Sequence, residues 1–338
     1  MSTKDFFKGI NGDVESLFSN ASKVGISNTK QVPNIEDSGF TLGTGEILNA
    51  KTINTCVLFI DIRKSTQLNF NHDNEVLARL YASFMRSMLR AADYYKGKAR
   101  NINGDRIMIV FDEEKCFINS INLAVLMHTI SNNIINKHFK NDEFSCGIGI
   151  DYGEMLVVKT GTIKKGDENQ FYKSFVWLGK PANLASKLTD IAYKKIERQM
   201  VDITYMHRKF NMLAYLESKG GLAGLLPGKN PNPVVGPPKE KTETISVLEF
   251  SKNTKLNASG KVLYKDIHEL TRWQYKASII TNPSILMTEE AYKGLVASNP
   301  DSTYTKGGLL KQQPSAFVEG YPGKIYGGTI YFPSVKEI

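Results

Sequence analysis

Residues 52–62 read TINTCVLFIDI and residues 98–112 read KARNINGDRIMIVFD, and these two stretches decide the fold. The first is a nearly unbroken run of β-branched and apolar residues with one acid, Asp61, near its end, the pattern of a strand covered on both faces. The second holds Asn103-Gly104-Asp105 between two short strand-like runs. Asn-Gly readily supplies the positive φ of a tight turn, so a hairpin is predicted there. Between the two, about Asn74 to Tyr95 repeats apolar residues at helical spacing, with Val76, Leu77, Leu80, Phe84, Met88 and Leu89 on one face.

Further along the chain, residues 117–136 predict a second helix, and FSCGIGIDYG (144–153) and EMLVVKTG (154–161) predict two more strands. KPANLASKLTDIAYKK (180–195) predicts a helix with Pro181 in its first turn. The resulting order is β-α-β-β-α-β-β-α. An insertion over about 196–275 follows, with helix-like ERQMVDITYMHRKFNMLAYLES (197–218) and then GGLAGLLPGKNPNPVVGPPKEKT (220–242), whose Gly and Pro content reads as loop. KASIITNPSILMTEEAYKGL (276–295) predicts a strand and a helix capped by Thr288, with Glu289 and Glu290 favourably placed in the first turn. GKIYGGTIYF (323–332) closes as a strand. Residues 1–50 read as an N-terminal extension with a short amphipathic helix over about 14–21, and 51–338 as the main domain.

With 41% hydrophobic and 23% charged residues in 338, the chain is neither disordered nor fibrous. A net charge of +9 favours polyanionic ligands such as nucleotides, nucleic acid or anionic lipid without choosing among them. Cys56, Cys116 and Cys146 are widely spaced in apolar surroundings and read as reduced core residues. No apolar run approaches the ~20 residues that span a bilayer, and the N-terminus lacks a signal peptide's apolar segment. A soluble, cytoplasmic protein with no membrane partner is expected.

The chemistry begins with Asp61 at the end of a buried strand and Asp105 at a hairpin turn, on strands that a β-α-β-β order can make neighbours. Two carboxylates brought together repel unless a cation sits between them. Hard oxygen ligands suit Mg²⁺ or Mn²⁺, and a two-metal site can activate an attacking oxygen and steady a leaving phosphate. Taken singly, Asp61 also reads as a strand-end cap and Asp105 as a turn residue. Asn183 and Lys187, at i and i+4 on a predicted helix, project from one face and could hold a ribose oxygen and a phosphoryl charge; the plainer reading is a solvated helix face. The five histidines show no metal spacing, and no Gly-x-Ser-x-Gly or Walker-type loop is present.

FIDIRKST (59–66), NGDRIMIVF (103–111), GIGIDYGEML (147–156) and WLGKPANLASKL (177–188) occur in the order and spacing of the class III nucleotidyl cyclase catalytic domain, which this sequence resembles over about 52–195 and again over 276–338. The resemblance implies an α+β fold with a ferredoxin-like βαββαβ core, an inserted arm, and a head-to-tail homodimer with active sites built from both chains. It implies that Asp61 and Asp105 of one chain hold two Mg²⁺ or Mn²⁺ ions, with the Ile62 carbonyl as a further ligand. Ser65 and Thr66, with the backbone amides after Asp61, would contact the triphosphate. From the facing chain Asn183 would orient the ribose, and Lys187 stands where the family carries a transition-state Arg. The implied reaction is attack of the ribose 3′ oxygen on the α-phosphate with release of pyrophosphate.

Several departures from the family pattern bear on the base. Where purine cyclases carry a Lys and an Asp, or a Glu and a Cys, this chain has Asn101 and Val176, and a Val accepts no hydrogen bond from an adenine amino group. Lys64-Ser65 replaces the expected Gly-Phe, and Lys187 keeps the charge of the family Arg without its bidentate fork. This combination resembles the pyrimidine cyclases of the Pycsar antiphage systems, which make cyclic UMP or cyclic CMP for a separate effector protein. Asn101, Arg100 and Trp177 are the candidates for reading or flanking the base. Strand alternation argues against Arg100 and Asn101 sharing a face, and the resemblance favours Asn101, which aligns with the family's base reader. Arg63, Lys64, Lys159 and Lys173 are further candidate phosphate contacts that also read as solvated surface. The remaining alternatives are a purine cyclase with an unorthodox pocket, a silent cyclase-homology module, which both Asp residues argue against, and an RNA-binding βαββαβ domain, whose aromatic strand positions are here occupied by acids that repel a polyanion. UTP is favoured over CTP as substrate, with no nucleic-acid partner.

Overall fold

A computed structural model describes residues 2–19, 23–42, 47–139, 144–164, 167–168, 172–210 and 234–337. The chain divides into two units, one of residues 1–194 and 281–338 and one of residues 195–280.

In the first unit the apolar run forms β2 (Leu48–Ile62), after α1 (Thr3–Phe18) and β1 (Val24–Asn28). Helices α2 (Ser65–Asn71) and α3 (Asn74–Tyr94) lead to the hairpin β3 (Lys98–Asn103) and β4 (Arg106–Val110). Gly104 alone supplies the positive φ of its two-residue turn, at +61°, while Asn103 stays in the strand. Helix α4 (Cys116–Thr129) continues through a π-helical segment (Ile130–Ile135) into α5 (Asn136–His138) and then β5 (Cys146–Thr160). The sheet runs β3-β4-β2-β5, all antiparallel, which is the ferredoxin-like order for a βαββαβ chain. The fold is α+β.

Strand β2 is buried on both faces, and its alternation sorts the two sides. Leu58, Ile60 and Ile62 join Phe84, Met88, Ile107, Ile109 and Ile121 in the large core under α3 and α4. Val57 and Phe59 join Met108, Val110, Met155 and Ala185 in a smaller core on the other face, under α6 (Lys180–Ile191). Of the predicted apolar face of α3, Leu80, Phe84 and Met88 are buried, Val76 and Leu77 pack at the edge of the core, and Leu89 is exposed.

Residues 144–161, read as two strands, form the single strand β5, because Gly153 has no positive φ and stays paired with Thr55. The next strand in the predicted order is instead β8 (Ser174–Leu178), after the short ribbon β6 (Ile163–Lys164) and β7 (Asp167–Glu168). Helix α1 begins far earlier than expected, because Ser2 and Asp5 form a reciprocal capping box that starts it at Thr3. The three cysteines are buried and free. After the insertion come β14 (Ile285–Thr288), α8 (Glu289–Ser298) capped by the Thr288 hydroxyl, β15 (Lys311–Gln312) and β16 (Ile325–Gly328).

The second unit is a sheet of β9 (Lys195–Phe210), β10 (Val234–Ser246), β11 (Thr254–Leu256), β12 (Val262–Tyr264) and β13 (His268–Thr281), with α7 (Val247–Asn253). Residues 197–210, expected to be helical, are strand. The period there is two: Val201, Ile203 and Tyr205 are buried around Tyr264 and Leu270. Residues 211–217 of that expectation, and 220–233 of the expected loop, lie outside the described residues. Residues 234–242 of the expected loop belong to β10, whose register with β9 shifts between Val235 and Lys239, so that Gly236, Pro237 and Pro238 fall outside the pairing.

Candidate functional site

Asp61 lies one residue from the end of β2, on the α6 face with Phe59, and Asp105 occupies the second position of the β3–β4 turn. Pairing of Ile60 with Ile107 brings the two together. The Asp105 Oδ2 atom is buried without a hydrogen-bond partner. Burial and then the negative charge of Asp61 push the Asp105 carboxyl above its ordinary range, against the pull of its own backbone amide and the Ser65 hydroxyl. The phenol of Tyr81, on α3, is raised by burial and next by Asp105. An orphaned carboxylate oxygen beside a second carboxylate, with only hard oxygen donors, fits a divalent cation of the Mg²⁺ or Mn²⁺ kind. Among the described residues no group of three or more His, Cys, Asp or Glu side chains could hold a metal ion, so the fit rests on this pair. Ile62 is the last residue of β2, beside it. Ser65 and Thr66 open α2 after Lys64, whose φ of +56° turns the chain sharply behind the strand.

Two arginines cover Asp61. Arg106, at the start of β4, donates from Nη2 to Asp61 Oδ2 at 2.7 Å and from the same nitrogen to Asp190 Oδ1, while its Nη1 donates to Ser186 Oγ at 2.8 Å. Burial disfavours the charge of Arg106, yet the hydrogen bonds to Asp61 and Asp190 outweigh it and the guanidinium is held more firmly protonated than usual. Arg63 lies 3.6 Å from Asp61 Oδ2 and donates to the Asp190 carbonyl at 3.2 Å. Arg63, which read as solvated surface or else as a phosphate contact, is instead largely buried within the carboxylate cluster. The sequence reading missed Arg106, Ser186 and Asp190. Their signal was a basic residue directly after the turn Asp and a second i, i+4 polar pair on the Asn183 helix.

Helix α6 lies against β5 and β2 because Gly149 admits it: a Cβ there would stand 2.2 Å from the Ala185 carbonyl oxygen and 2.6 Å from the Thr189 nitrogen. Leu184, Ala185, Leu188 and Thr189 are buried, whereas Asn183 and Lys187 are exposed. Lys187 donates to the Glu319 carbonyl at 3.2 Å. The helix therefore brings Ser186, and Asp190 with its side chain still 53% exposed, within hydrogen-bond reach of Arg106, and leaves Asn183 and Lys187 exposed.

On β3 a bulge falls at Arg100, since Ala99 pairs with Ile109 and Asn101 with Met108. Ala99 packs on the α3 and α4 core, and Met108 lies in the core of the α6 face, so the extra residue moves Asn101 to that face. Arg100 feels Asp112, and its Nε is buried without a partner. The alternation expected to separate Arg100 from Asn101 is interrupted between them. Trp177, on β8, packs at the edge of the α6-face core with its Nε1 unpartnered, and Val176 beside it is 40% exposed. Strands β4, β2 and β5 lie between these two groups, so one chain does not bring Asn101 and Trp177 onto adjacent strands. Lys159 and Lys173 also sit near β8; Lys159 pairs with Phe175, and Lys173 forms an ion pair with Glu36 at 2.9 Å. Lys159 is 12 residues beyond Gly147, the partner of Asp61, or roughly 40 Å of strand.

Among the described residues no helix is long and apolar enough to cross a membrane. Residues 48–211 match the family described as the adenylate and guanylate cyclase catalytic domain. A uridylate cyclase from Gulbenkiania mobilis is 29% identical over 186 residues, covering 51% of this chain and 67% of that protein. A uridylate cyclase from Burkholderia cepacia is 30% identical over 180 residues, covering 50% of this chain and 71% of that protein. The crystal structure of the adenylyl cyclase CyaB from P. aeruginosa aligns with a TM-score of 0.46 at 15% identity, over 82% of this chain and 95% of that one. With the four ordered motifs in their places on the sheet and on α6, this chain belongs to the class III nucleotidyl cyclases.

Proposed function

We propose that this chain is a pyrimidine nucleotidyl cyclase, converting UTP, or alternatively CTP, to its 3′,5′-cyclic monophosphate and pyrophosphate. The observation that carries the reading is the division of labour around α6: Asp61 and Asp105 gather at one strand end, while Asn183 and Lys187 face outward on the same chain. Such a chain is completed by a second copy whose outward pair meets the carboxylates, which is a head-to-tail homodimer. The choice of a pyrimidine is supported by the apolar Val176, by the Asn101 amide that the bulge moves to the α6 face, and by the names of the two relatives.

In this reading Asp61 and Asp105 hold two Mg²⁺ or Mn²⁺ ions with help from the Ile62 carbonyl. When bound, these ions supply charge neutralisation at the phosphates and ease loss of the ribose 3′ proton. Ser65 and Thr66 contact the triphosphate, and Asn183 of the facing chain orients the ribose so that its 3′ oxygen lines up with the α-phosphorus. Lys187 of that chain meets the negative charge that grows as the 3′ oxygen–phosphorus bond forms and the bond to pyrophosphate breaks. Asn101 and Arg100 read the pyrimidine edge, and Trp177 flanks it. The unit 195–280 contributes dimer contacts. The cyclic nucleotide acts as a second messenger to a separate effector in bacterial antiphage defence.

The test is incubation of the purified protein with Mn²⁺ and each ribonucleoside triphosphate separately, with products identified by mass spectrometry. Cyclic UMP or cyclic CMP alone is expected. Cyclic AMP or cyclic GMP would overturn the pyrimidine assignment, and the absence of any cyclic product would overturn the activity.

A further inference from the structure

Arg106 is the point at which the carboxylate pair and helix α6 meet. Its Nη2 is shared between Asp61 Oδ2 and Asp190 Oδ1, so a strand carboxylate and a helix carboxylate lie one guanidinium nitrogen apart. Its Nη1 is taken by Ser186, one turn before Asp190 on the same helix. Arg63 adds a second cation, 3.6 Å from Asp61 Oδ2, and donates to the Asp190 carbonyl. Asp105, in contrast, keeps an unpartnered buried oxygen. The cluster thus contains one carboxylate already neutralised by a resident cation and one that is not.

We infer that Arg106 is a positioning residue that relays divalent-ion binding at Asp61 and Asp105 to helix α6, by dividing its guanidinium between Asp61 and Asp190. This inference rests on the assignment of Asp61 and Asp105 as the metal carboxylates. A divalent ion entering beside Asp61 repels the guanidinium and competes for Oδ2, and the free share of Nη2 goes to Asp190. The pair between Arg106 and Asp190 then tightens and pins the helix. Because α6 carries Asn183 and Lys187 on its outer face, ion binding in one chain stiffens the side chains that the same chain offers to a partner.

The sharing makes two substitutions act in opposite directions, although neither residue is a metal ligand. Arg106→Gln removes the competing positive charge and leaves Asp61 and Asp190 negative, so it tightens ion binding. Asp190→Asn leaves Arg106 with Asp61 as its remaining carboxylate partner, so it weakens ion binding. A purely structural role for Arg106 would weaken binding in both variants or change it in neither.

The experiment titrates the full chain, without nucleotide, with Mn²⁺ alone and counts free Mn²⁺ by electron paramagnetic resonance, while hydrogen exchange follows the α6 amides. Wild-type protein is expected to bind Mn²⁺ and to gain protection over residues 184–190 when it does. Arg106→Gln should lower the dissociation constant and Asp190→Asn raise it, each by about tenfold at low salt, and Arg106→Gln should abolish the Mn²⁺-dependent protection of α6. Should Asp105→Asn leave Mn²⁺ binding unchanged, the metal-carboxylate assignment itself fails. Should Asp105→Asn remove binding while the other two variants shift it in one direction or not at all, the relay through Arg106 fails and the metal assignment stands. Arg106→Lys, which keeps the charge but cannot reach both helix partners from one planar group, guards against misfolding of the Gln variant; it should retain near-wild-type affinity but lose the protection, and retained protection would overturn the relay.

Discussion

The two faces of the central sheet are built from alternate residues of the same strands, yet they have different contents. Under α3 and α4 the side chains of Leu58, Ile60, Ile107, Ile109, Phe84 and Ile121 are buried in a continuous apolar core. Under α6 the apolar core is smaller and gives way, at the end of β2, to Asp61, Arg106, Ser186 and Asp190. A step of one residue along β2, from Ile60 to Asp61, crosses from one regime to the other. The difference shows how one strand can serve stability and chemistry at once: a strand has two faces, and only one has to be wholly dry.

The comparison breaks most sharply if the two faces fail to separate. Asp61→Ala and Asp105→Ala should each lower turnover by at least about 1,000-fold, with a melting temperature within a few degrees of wild type, as read by product formation and circular dichroism. A large fall in melting temperature would show that the carboxylates also hold the fold. On the opposite face, Phe84→Ala should cost about 3–5 kcal/mol of stability in denaturant titration, with turnover per folded molecule unchanged. Gly149→Ala tests the contact between the sheet and α6: the added methyl would strike the Ala185 carbonyl and the Thr189 nitrogen, so about 2–3 kcal/mol of stability should be lost. Its turnover should fall as well, because the displaced helix carries Asn183 and Lys187.

The smallest effect is a pH dependence in which the faces oppose each other. Asp151 is buried, accepts a hydrogen bond from the Thr288 hydroxyl, and is pushed by burial up to about 6 from 3.8. The folded state therefore holds this proton more tightly than the unfolded state, and the stability it contributes is full below pH 3.8 and is lost as pH rises through about 6. His128, on α4 under the other face, is lowered by burial to about 4 from 6.5, so its contribution is full above pH 6.5 and is lost as pH falls through about 4. Asp151→Asn should raise stability at pH 7.5 by about 1–2 kcal/mol and steepen the rise in stability with pH between about 4 and 6. Chemical denaturation at several pH values reads both, and an unchanged slope would show that Asp151 does not carry the shift.

Much of the first face was legible in the residues. The uniform apolar run of β2, the 3.6-residue period of α3 and the Asn-Gly turn each follow from local geometry that the sequence encodes directly. So did the positions of Asp61, Asp105, Asn183 and Lys187, because a strand end, a turn and an i, i+4 spacing are local features. The segment 197–210 misled because it has apolar residues compatible with two periods, and only the burial of Val201, Ile203 and Tyr205 against Tyr264 selects the strand. The bulge at Arg100 was equally hidden, since an extra residue in one strand is defined by the register of the other.

By itself, then, the sequence determined the order of strands and helices in the βαββαβ core, the positions of the two carboxylates and the i, i+4 spacing that puts Asn183 and Lys187 on one helix face, since each depends on residues within a few positions of one another. Tertiary structure alone decided that Arg106 bridges Asp61 and Asp190, that Asn101 shares the face of Met108, and that α6 gives Ser186 and Asp190 to Arg106 while Asn183 and Lys187 stay exposed. The Arg106 bridge depends on contacts between residues 45 and 84 positions apart. Charge and hydrogen-bonding capacity are written in each residue, but the partner that uses them is fixed only when the sheet register and the Gly149 contact bring distant segments together.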